Sequence, residues 1–332
     1  MSKQFTYYSL DGILSRNAVY NAVCGGRGIG KSYAVKRYCV DRAIKRGEEF
    51  IYLRRYKTEL KQRATFFSDI EHLWPDYEFR VQGNNAVMRM RGDKKWQVIG
   101  YFCALSTSQQ TKSVAYPRVH TIMFDEFIIG KGSLRYLNGE CSVFNDFYST
   151  VDRYQDRVRV FMLSNAVSIM NPYMIEWGIE PRQGFVTRAD GFICFEFPDS
   201  SEFNSQVAET RFGGFLLKHD EEYADYAIAN TFADNNDELI LGKPPKAIYM
   251  MTLRTKGGIF SVWWDHPAWY IQEKRPKKES LCSYGCPDVL EGEMILAYND
   301  TMMGMMRTAF RQSRMYYDRL NQIGRASCRE RV

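Results

Sequence analysis

Two short segments of this 332-residue chain carry residue types that could act on a polyphosphate. The first runs Gly25, Gly26, Arg27, Gly28, Ile29, Gly30, Lys31, Ser32 and satisfies the pattern G-x-x-x-x-G-K-[ST]. A triphosphate carries several negative charges, and backbone N–H groups turned inward are neutral ligands for them. Glycine lets consecutive amides curl that tightly and puts no Cβ in the way. Lys31 is then placed to reach the β- and γ-phosphates, and the Ser32 hydroxyl to ligate Mg²⁺. The expected ligand is ATP with Mg²⁺.

The second segment is Asp125-Glu126, which closes the apolar run 121–124. At the tip of a strand beside the glycine loop, Asp125 would hold the metal through water. Glu126 fits a general base that orients and deprotonates the attacking water. Such a doublet separates a hydrolase from a simple kinase, which needs no water-activating glutamate there.

Further polar groups sit at comparable places. Ser164 and Asn165 end the apolar run in RVRVFMLSNAV. Two readings stay open for them: groups that sense the γ-phosphate or position the water, or a turn with Asn165 as a helix N-cap. Just upstream, Arg153, Arg157 and Arg159 each read either as a solvated arginine or as an arginine finger for a neighbouring subunit's nucleotide. A basic burst of Arg54, Arg55, Lys57, Lys61 and Arg63, with Tyr52 and Tyr56, reads either as a phosphate-backbone contact or as a solvated helix start.

For these groups to act together, particular elements must hold them. Residues 18–24 read as a short buried strand, and 32–46 carry a helical apolar stripe closed by Gly47. Residues 50–53 and 121–124 read as further buried strands. Strands tipped by Lys31, Asp125 and Ser164 must lie side by side, which requires a largely parallel sheet. Residues 77–102 alternate in period two and read as strands in a hairpin-like insert.

Composition bounds the remaining choices. Hydrophobic residues make up 45% and charged residues 25%, the mix of a folded globular protein with two domains as the prior. A net charge of +6 permits nucleic-acid contact without requiring it. The chain opens with no secretory signal, and no apolar run is long enough to span a membrane. Eight cysteines and four histidines lack metal-site spacing, so the thiols read as reduced core residues.

Five blocks, GGRGIGKSYAVKRY, GEEFIYLRRYKTEL, TKSVAYPRVHTIMFDEFI, RVRVFMLSNAVSIMNPY and EFPDSSEF followed by TRFG, occur in order. Together they resemble the DNA-packaging ATPases of phi29-type bacteriophages, from about residue 10 to about 215 and more weakly to about 270. The resemblance implies P-loop roles for Lys31 and Ser32, the Mg²⁺ role for Asp125 and the catalytic role for Glu126. It puts the trans-acting arginine finger at Arg153, although Asp152, Tyr154 and Gln155 depart from the family's pattern and leave Arg157 as the alternative. It also implies that Lys112 lies near the neighbour's nucleotide and that Lys57 faces DNA in a central pore. The family is a homopentameric ring on the viral portal, joined in close relatives by a structural RNA. It drives double-stranded DNA into a preformed capsid, which would place this chain in the host cytoplasm at the viral procapsid.

The expected fold class is α/β: a P-loop, ASCE-type ATPase domain with a mostly parallel sheet, plus a smaller α+β RNase-H-like domain lacking nuclease carboxylates. The expected boundaries are 1–197 for the ATPase domain, 198–245 for a polar linker subdomain and 246–323 for the nuclease-like domain. Residues 324–332 read as a non-native tail. In the nuclease-like part, 248–253, 259–264 and 269–273 read as antiparallel strands and 294–317 as a Met-rich helix. Large terminases cluster carboxylates on the first such strand to hold two metals. Here that strand has none, and Asp265, Asp288, Glu291 and Glu293 lie at strand ends or in loops. The domain is therefore expected to cut nothing and to offer Lys256, Arg275, Lys277 and Lys278 to DNA, with Lys61 and Arg63 as further contacts beside Lys57. An active nuclease and a nucleotide-gated DNA-binding module are the alternatives.

Overall fold

The computed structural model describes residues 5–111, 114–129, 135–165, 171–219, 241–255, 258–286, 288–297, 299–311 and 314–318. The chain divides into two compact units, one of residues 1–168 and 181–233, the other of 169–180 and 234–332.

The first unit is built on a nine-stranded sheet. In chain order its strands are β1 Tyr20–Gly25, β2 Glu49–Arg54, β3 Tyr77–Gln82, β4 Asn85–Met90, β5 Gln97–Ala104, β6 Val119–Asp125, β7 Arg159–Asn165, β8 Gly184–Arg188 and β9 Ile193–Phe197. Their spatial order is β3-β4-β5-β2-β6-β7-β1-β9-β8. The run from β5 to β9 is parallel, whereas the β3-β4-β5 edge and the β8-β9 edge are antiparallel. The sheet is thus mixed, and parallel where the chemistry-bearing residues fall.

The helices follow from local sequence. After the short helix α1 (Asp11–Leu14), α2 spans Lys31–Arg46. Val35, Cys39, Val40 and Ala43 recur on one face of α2 and join a core with Phe50, Met123, Phe161 and Leu163. Gly47 ends α2 in the left-handed region, its N–H donating to the Ala43 carbonyl, and Lys45 and Arg46 complement the negative end of the dipole. Helix α3 (Glu140–Asp152) runs back between β6 and β7. Strand β1 is buried along its whole length because β7 and β9 flank it and both sheet faces are covered.

The second unit carries helix α4 (Pro172–Glu176), so residues 169–180 belong to it although the sequence suggested one continuous domain to 197. Of the expected linker, residues 198–219 group with the first unit and 241–245 with the second, while 220–240 lie outside the described residues. Helices α5 (Ser201–Ala208) and α6 (Arg211–His219) belong to the first unit, and the described chain from 241 belongs to the second.

A six-stranded sheet organises the second unit: β10 Ile248–Thr255, β11 Gly258–Asp265, β12 Ala268–Gln272, β13 Leu281–Ser283, β14 Met294–Ile295 and β15 Met315–Tyr317. The order is β14-β13-β10-β11-β12-β15, with β10-β11-β12 antiparallel and the remaining pairings parallel. The single long helix expected over 294–317 is corrected here. Among the described residues of that stretch only α7, Thr301–Arg311, is helical, and short strands lie on either side of it. Met303 and Met306 are core residues packed with Leu253, Val262 and Ile271.

Candidate functional site

Parallel register brings the site together at the carboxyl ends of three strands. Gly25 of β1 pairs with Asn165 of β7, and Asp125 of β6 pairs with Leu163 of β7. The glycine loop therefore leaves the sheet beside the acidic doublet.

Within the loop, Gly28 and Gly30 adopt φ of 84° and 95°, a region costly for any residue with a side chain. Gly25 is required for a different reason: a Cβ there would lie 2.7 Å from the Pro198 ring. Ile29 is buried and anchors the loop, while Arg27 is exposed. Lys31 is 6% exposed, and its Nζ donates to the carbonyls of Gly25 (2.9 Å) and Gly26 (2.6 Å) and to Asn165 Oδ1 (3.3 Å). Burial draws this amine down to about 8, opposed by Cys24 and Asp125. The charge is poorly solvated and already rests on carbonyls facing the loop.

Beneath the loop, Ser32 Oγ donates to Asp125 Oδ1 at 3.2 Å, and the Tyr52 hydroxyl donates to Oδ2 at 3.2 Å. Burial pushes the Asp125 carboxyl up; Arg54 counters this and Glu126 adds to it. A hydroxyl and a carboxylate oxygen this close form a hard-ligand pair suited to Mg²⁺, which binds through one or two protein oxygens and fills its shell with phosphate and water. Among the described residues no group of three His, Cys, Asp or Glu side chains could hold a metal unaided.

Glu126 sits in the left-handed region at φ 56°. Its carboxylate meets Arg54 Nη2 at 2.5 Å, and the same nitrogen donates to Glu59 Oε1 at 2.8 Å. Arg55 is fully buried. It makes a bidentate pair with the equally buried Glu140, and it donates to the carbonyls of Glu126 (3.2 Å) and Phe127 (2.5 Å). The basic burst is therefore no solvated helix start at its beginning: Arg54 and Arg55 turn inward and hold the acidic turn.

The other expected residues separate clearly. Lys57 and Lys61 are exposed in and after a 3-10 turn (Lys57–Leu60) that directly follows β2. Arg63 is committed to its own fold, donating to the Gly83 and Leu60 carbonyls. Ser164 is buried and its hydroxyl donates to the Ile128 and Asn165 carbonyls, so of that pair only Asn165 reaches Lys31. Arg157 donates to the carbonyls of Val119, Tyr116 and Val151, and Arg159 to Asn17. Neither is presented outward. Arg153, at the end of α3, is exposed. Lys277 is exposed on the second unit, while Arg275 pairs with Glu279. Lys112 and Lys256 lie outside the described residues.

Sequence reasoning named Arg54, Arg55 and Tyr52 only as parts of a basic burst, not as neighbours of the acidic doublet, and passed over Glu140. A signal existed: Arg54 ends β2 and Arg55 follows it, and Leu53 of that strand pairs with Phe124 directly before the acidic doublet. That pairing is visible only once the strand order is known.

The mixed sheet, with its glycine loop at a helix N-terminus and a Ser–Asp pair beneath, defines the class as an α/β protein of strand–loop–helix type. The Podovirus DNA encapsidation protein (Gp16) family matches residues 1–329. The DNA packaging protein of Bacillus phage phi29 is 34% identical over 324 residues, covering 96% of this chain and 94% of that protein. That of Bacillus phage B103 is 36% identical over 290 residues, covering 86% and 88%. The bacteriophage phi29 viral genome packaging motor assembly contains a chain similar in structure, with a TM-score of 0.71, 33% identity and 97% of each chain covered. The N-terminal domain of the phi29 DNA packaging ATPase matches with a TM-score of 0.54 and 41% identity, covering 59% of this chain and 98% of that one. The chain belongs to the Podovirus DNA encapsidation protein family, and is a DNA packaging protein of the phi29 type.

Proposed function

We propose that this chain is an ATPase that couples hydrolysis to translocation of double-stranded DNA into a viral procapsid, working as a ring of identical subunits on the portal. The observation that carries the reading is the placement of Ser32 and Asp125 3.2 Å apart under a glycine loop capped by Lys31. Membership of the packaging family adds the substrate. Five subunits, a linking RNA and action at the procapsid come with the resemblance to the phi29 type.

The residues divide the work as follows. Amides of the glycine loop and the start of α2 face the β- and γ-phosphates, and Lys31 exchanges its carbonyl partners for phosphate oxygens. Ser32 and Asp125 would hold Mg²⁺, which when bound would neutralise charge across the two terminal phosphates. Glu126, released from Arg54, accepts the proton of the attacking water. Arg153 lies beyond the amino end of β7, whereas Asn165 ends that strand beside Lys31, so roughly 20 Å of strand separates the two in one subunit. That separation supports action on a neighbour's nucleotide. Lys57 and Lys61 offer charge to the DNA backbone. Glu59, whose Oε2 accepts from the Tyr56 amide beside Lys57 and whose Oε1 binds Arg54, gives DNA contact a route to Glu126.

The second unit is read as an RNase-H-like domain that does not cut. Strand β10 carries no acid, and Glu293 and Asp288 are tied to Arg254 at 2.5 and 3.2 Å. That hydrogen-bonded pairing holds the Glu293 carboxyl down at about 2. Lys256, outside the described residues, and Lys277 remain as proposed DNA contacts. Phosphate release measured with and without double-stranded DNA tests the motor reading: turnover should be DNA-stimulated and salt-sensitive, and should vanish in Lys31→Ala and Glu126→Gln. Turnover indifferent to DNA in ring-forming protein would sink it. Mn²⁺-dependent plasmid nicking abolished by Asp265→Asn or Asp288→Asn would overturn the non-cutting assignment.

A further inference from the structure

Between α3 and β7 the chain turns through Arg153, Tyr154, Gln155 and Asp156, and one buried carboxylate organises the whole turn. Asp152 is 2% exposed. Its Oδ2 accepts from the amides of Gln155 (2.9 Å) and Asp156 (3.0 Å), and its Oδ1 from those of Arg157 (3.0 Å) and Val158 (3.0 Å). Four amides converge on one side chain.

The turn is also strained. Arg153, Tyr154 and Asp156 all lie in the left-handed region, at φ of 53°, 58° and 52°. A turn needed only to join a helix to a strand would place glycine or asparagine there. Instead two large side chains occupy the strained positions, and both point away from the fold. Arg153 has no hydrogen-bond or ion partner among the described residues, and Tyr154 is 88% exposed. Arg157, by contrast, is pinned to three carbonyls at the base of the turn. Strain of this kind persists only where the surroundings over-determine it, and here the Asp152 carboxylate does so.

We infer that Asp152 is a positioning residue: it pre-forms the turn that presents Arg153 and Tyr154, as one rigid pair, to a second copy of this chain. The charge logic selects that occupant. A lone guanidinium seeks a polyphosphate, and the subunit's own glycine loop lies at the other end of β7. Tyr154 then supplies apolar contact beside the anionic site, at little conformational cost for a ring with two torsions. The inference rests on the proposed trans action of Arg153.

The test uses full-length protein and DNA-stimulated phosphate release. Asp152→Asn keeps the shape but turns one acceptor into a donor that faces amides. It should lose turnover at least tenfold, as Arg153→Ala does, while binding of a nonhydrolysable ATP analogue stays within twofold of the parent. The decisive arm mixes Asp152→Asn with Lys31→Ala, each inactive alone. Lys31→Ala subunits present intact turns to the intact sites of Asp152→Asn subunits, so turnover should return to roughly a quarter of the parent value in randomly mixed rings. A variant damaged in its own site gains nothing from a neighbour, so a mixture that stays inactive overturns the inference. If Asp152→Asn does not melt cooperatively, Asp152→Ser, which retains one acceptor, is read in the same mixture with the same two outcomes. Full turnover in Asp152→Asn with Arg153→Ala dead sinks the positioning role alone. Full turnover in Arg153→Ala sinks the trans reading beneath it.

Discussion

Arg54 and Glu126 form an ion pair at 2.5 Å, with Glu126 held on a left-handed backbone at the tip of β6. A carboxylate so engaged is oriented toward its cation rather than free to take a proton from water. Replacing Arg54 by alanine is expected to raise DNA-independent turnover severalfold and to bring DNA stimulation close to unity. Glu126→Gln should instead depress both states by about 10² or more. A wild-type stimulation ratio in Arg54→Ala would show that the pair does not restrain the site.

Nucleotide affinity should depend on pH through Lys31. Burial draws its amine to about 8, below the ordinary lysine value. Below pH 8 the empty site already carries the ammonium; above it, binding a polyphosphate must also take up a proton. Affinity for a nonhydrolysable analogue should be flat from about pH 7 to about 8 and then weaken, by at most about tenfold per unit. Lys31→Ala should bind weakly with no such break. Calorimetric titration across this range reads it directly, and a flat parent profile refutes it.

The buried Arg55–Glu140 pair should respond asymmetrically to mutation. Both side chains are fully buried, and the guanidinium also serves the Glu126 and Phe127 carbonyls. Glu140→Ala leaves a buried cation without its partner and should destabilise the first unit by about 3–5 kcal/mol. The double change Arg55→Met with Glu140→Leu should recover part of that loss while still impairing turnover, because the Glu126 turn loses its clamp. Urea unfolding and phosphate release, taken together, separate the two effects.

Basic residues after β2 should divide into two behaviours. Exposed Lys57 and Lys61 should each lower double-stranded DNA affinity when changed to alanine, and reduce the slope of log affinity against log salt by about 1. Arg63, whose guanidinium serves the Gly83 and Leu60 carbonyls, should lower stability with little change in that slope. An Arg63→Ala slope change equal to that of Lys57→Ala would contradict this division.

Helix α2 and strands β1, β2, β6 and β7 stand within a residue or two of where periodicity puts them, because each combines a strong apolar pattern with a local stop such as Gly47. The helix expected over 294–317 is shorter, since methionine suits helix and strand alike and the pairings of Met294 with Cys282 and Met315 with Trp269 drew those residues into the sheet. Boundaries between the units escaped sequence reading as well. Residues 171–180 group with the second unit, although nothing in their local pattern marks a boundary.

Chemistry that resides in a contiguous stretch was determined by sequence alone: the glycine loop, Lys31 and Ser32 are neighbours along the chain, and the acidic doublet announces itself at a strand end. Tertiary structure decided everything that depends on which strands lie together. The order β5-β2-β6-β7-β1 turned two arginines from surface charges into the holders of Glu126. It also placed the glycine loop at one end of β7 and Arg153 beyond the other. Strand order is set by burying the apolar area of the whole sheet, a sum over distant residues, so no window of sequence contains it.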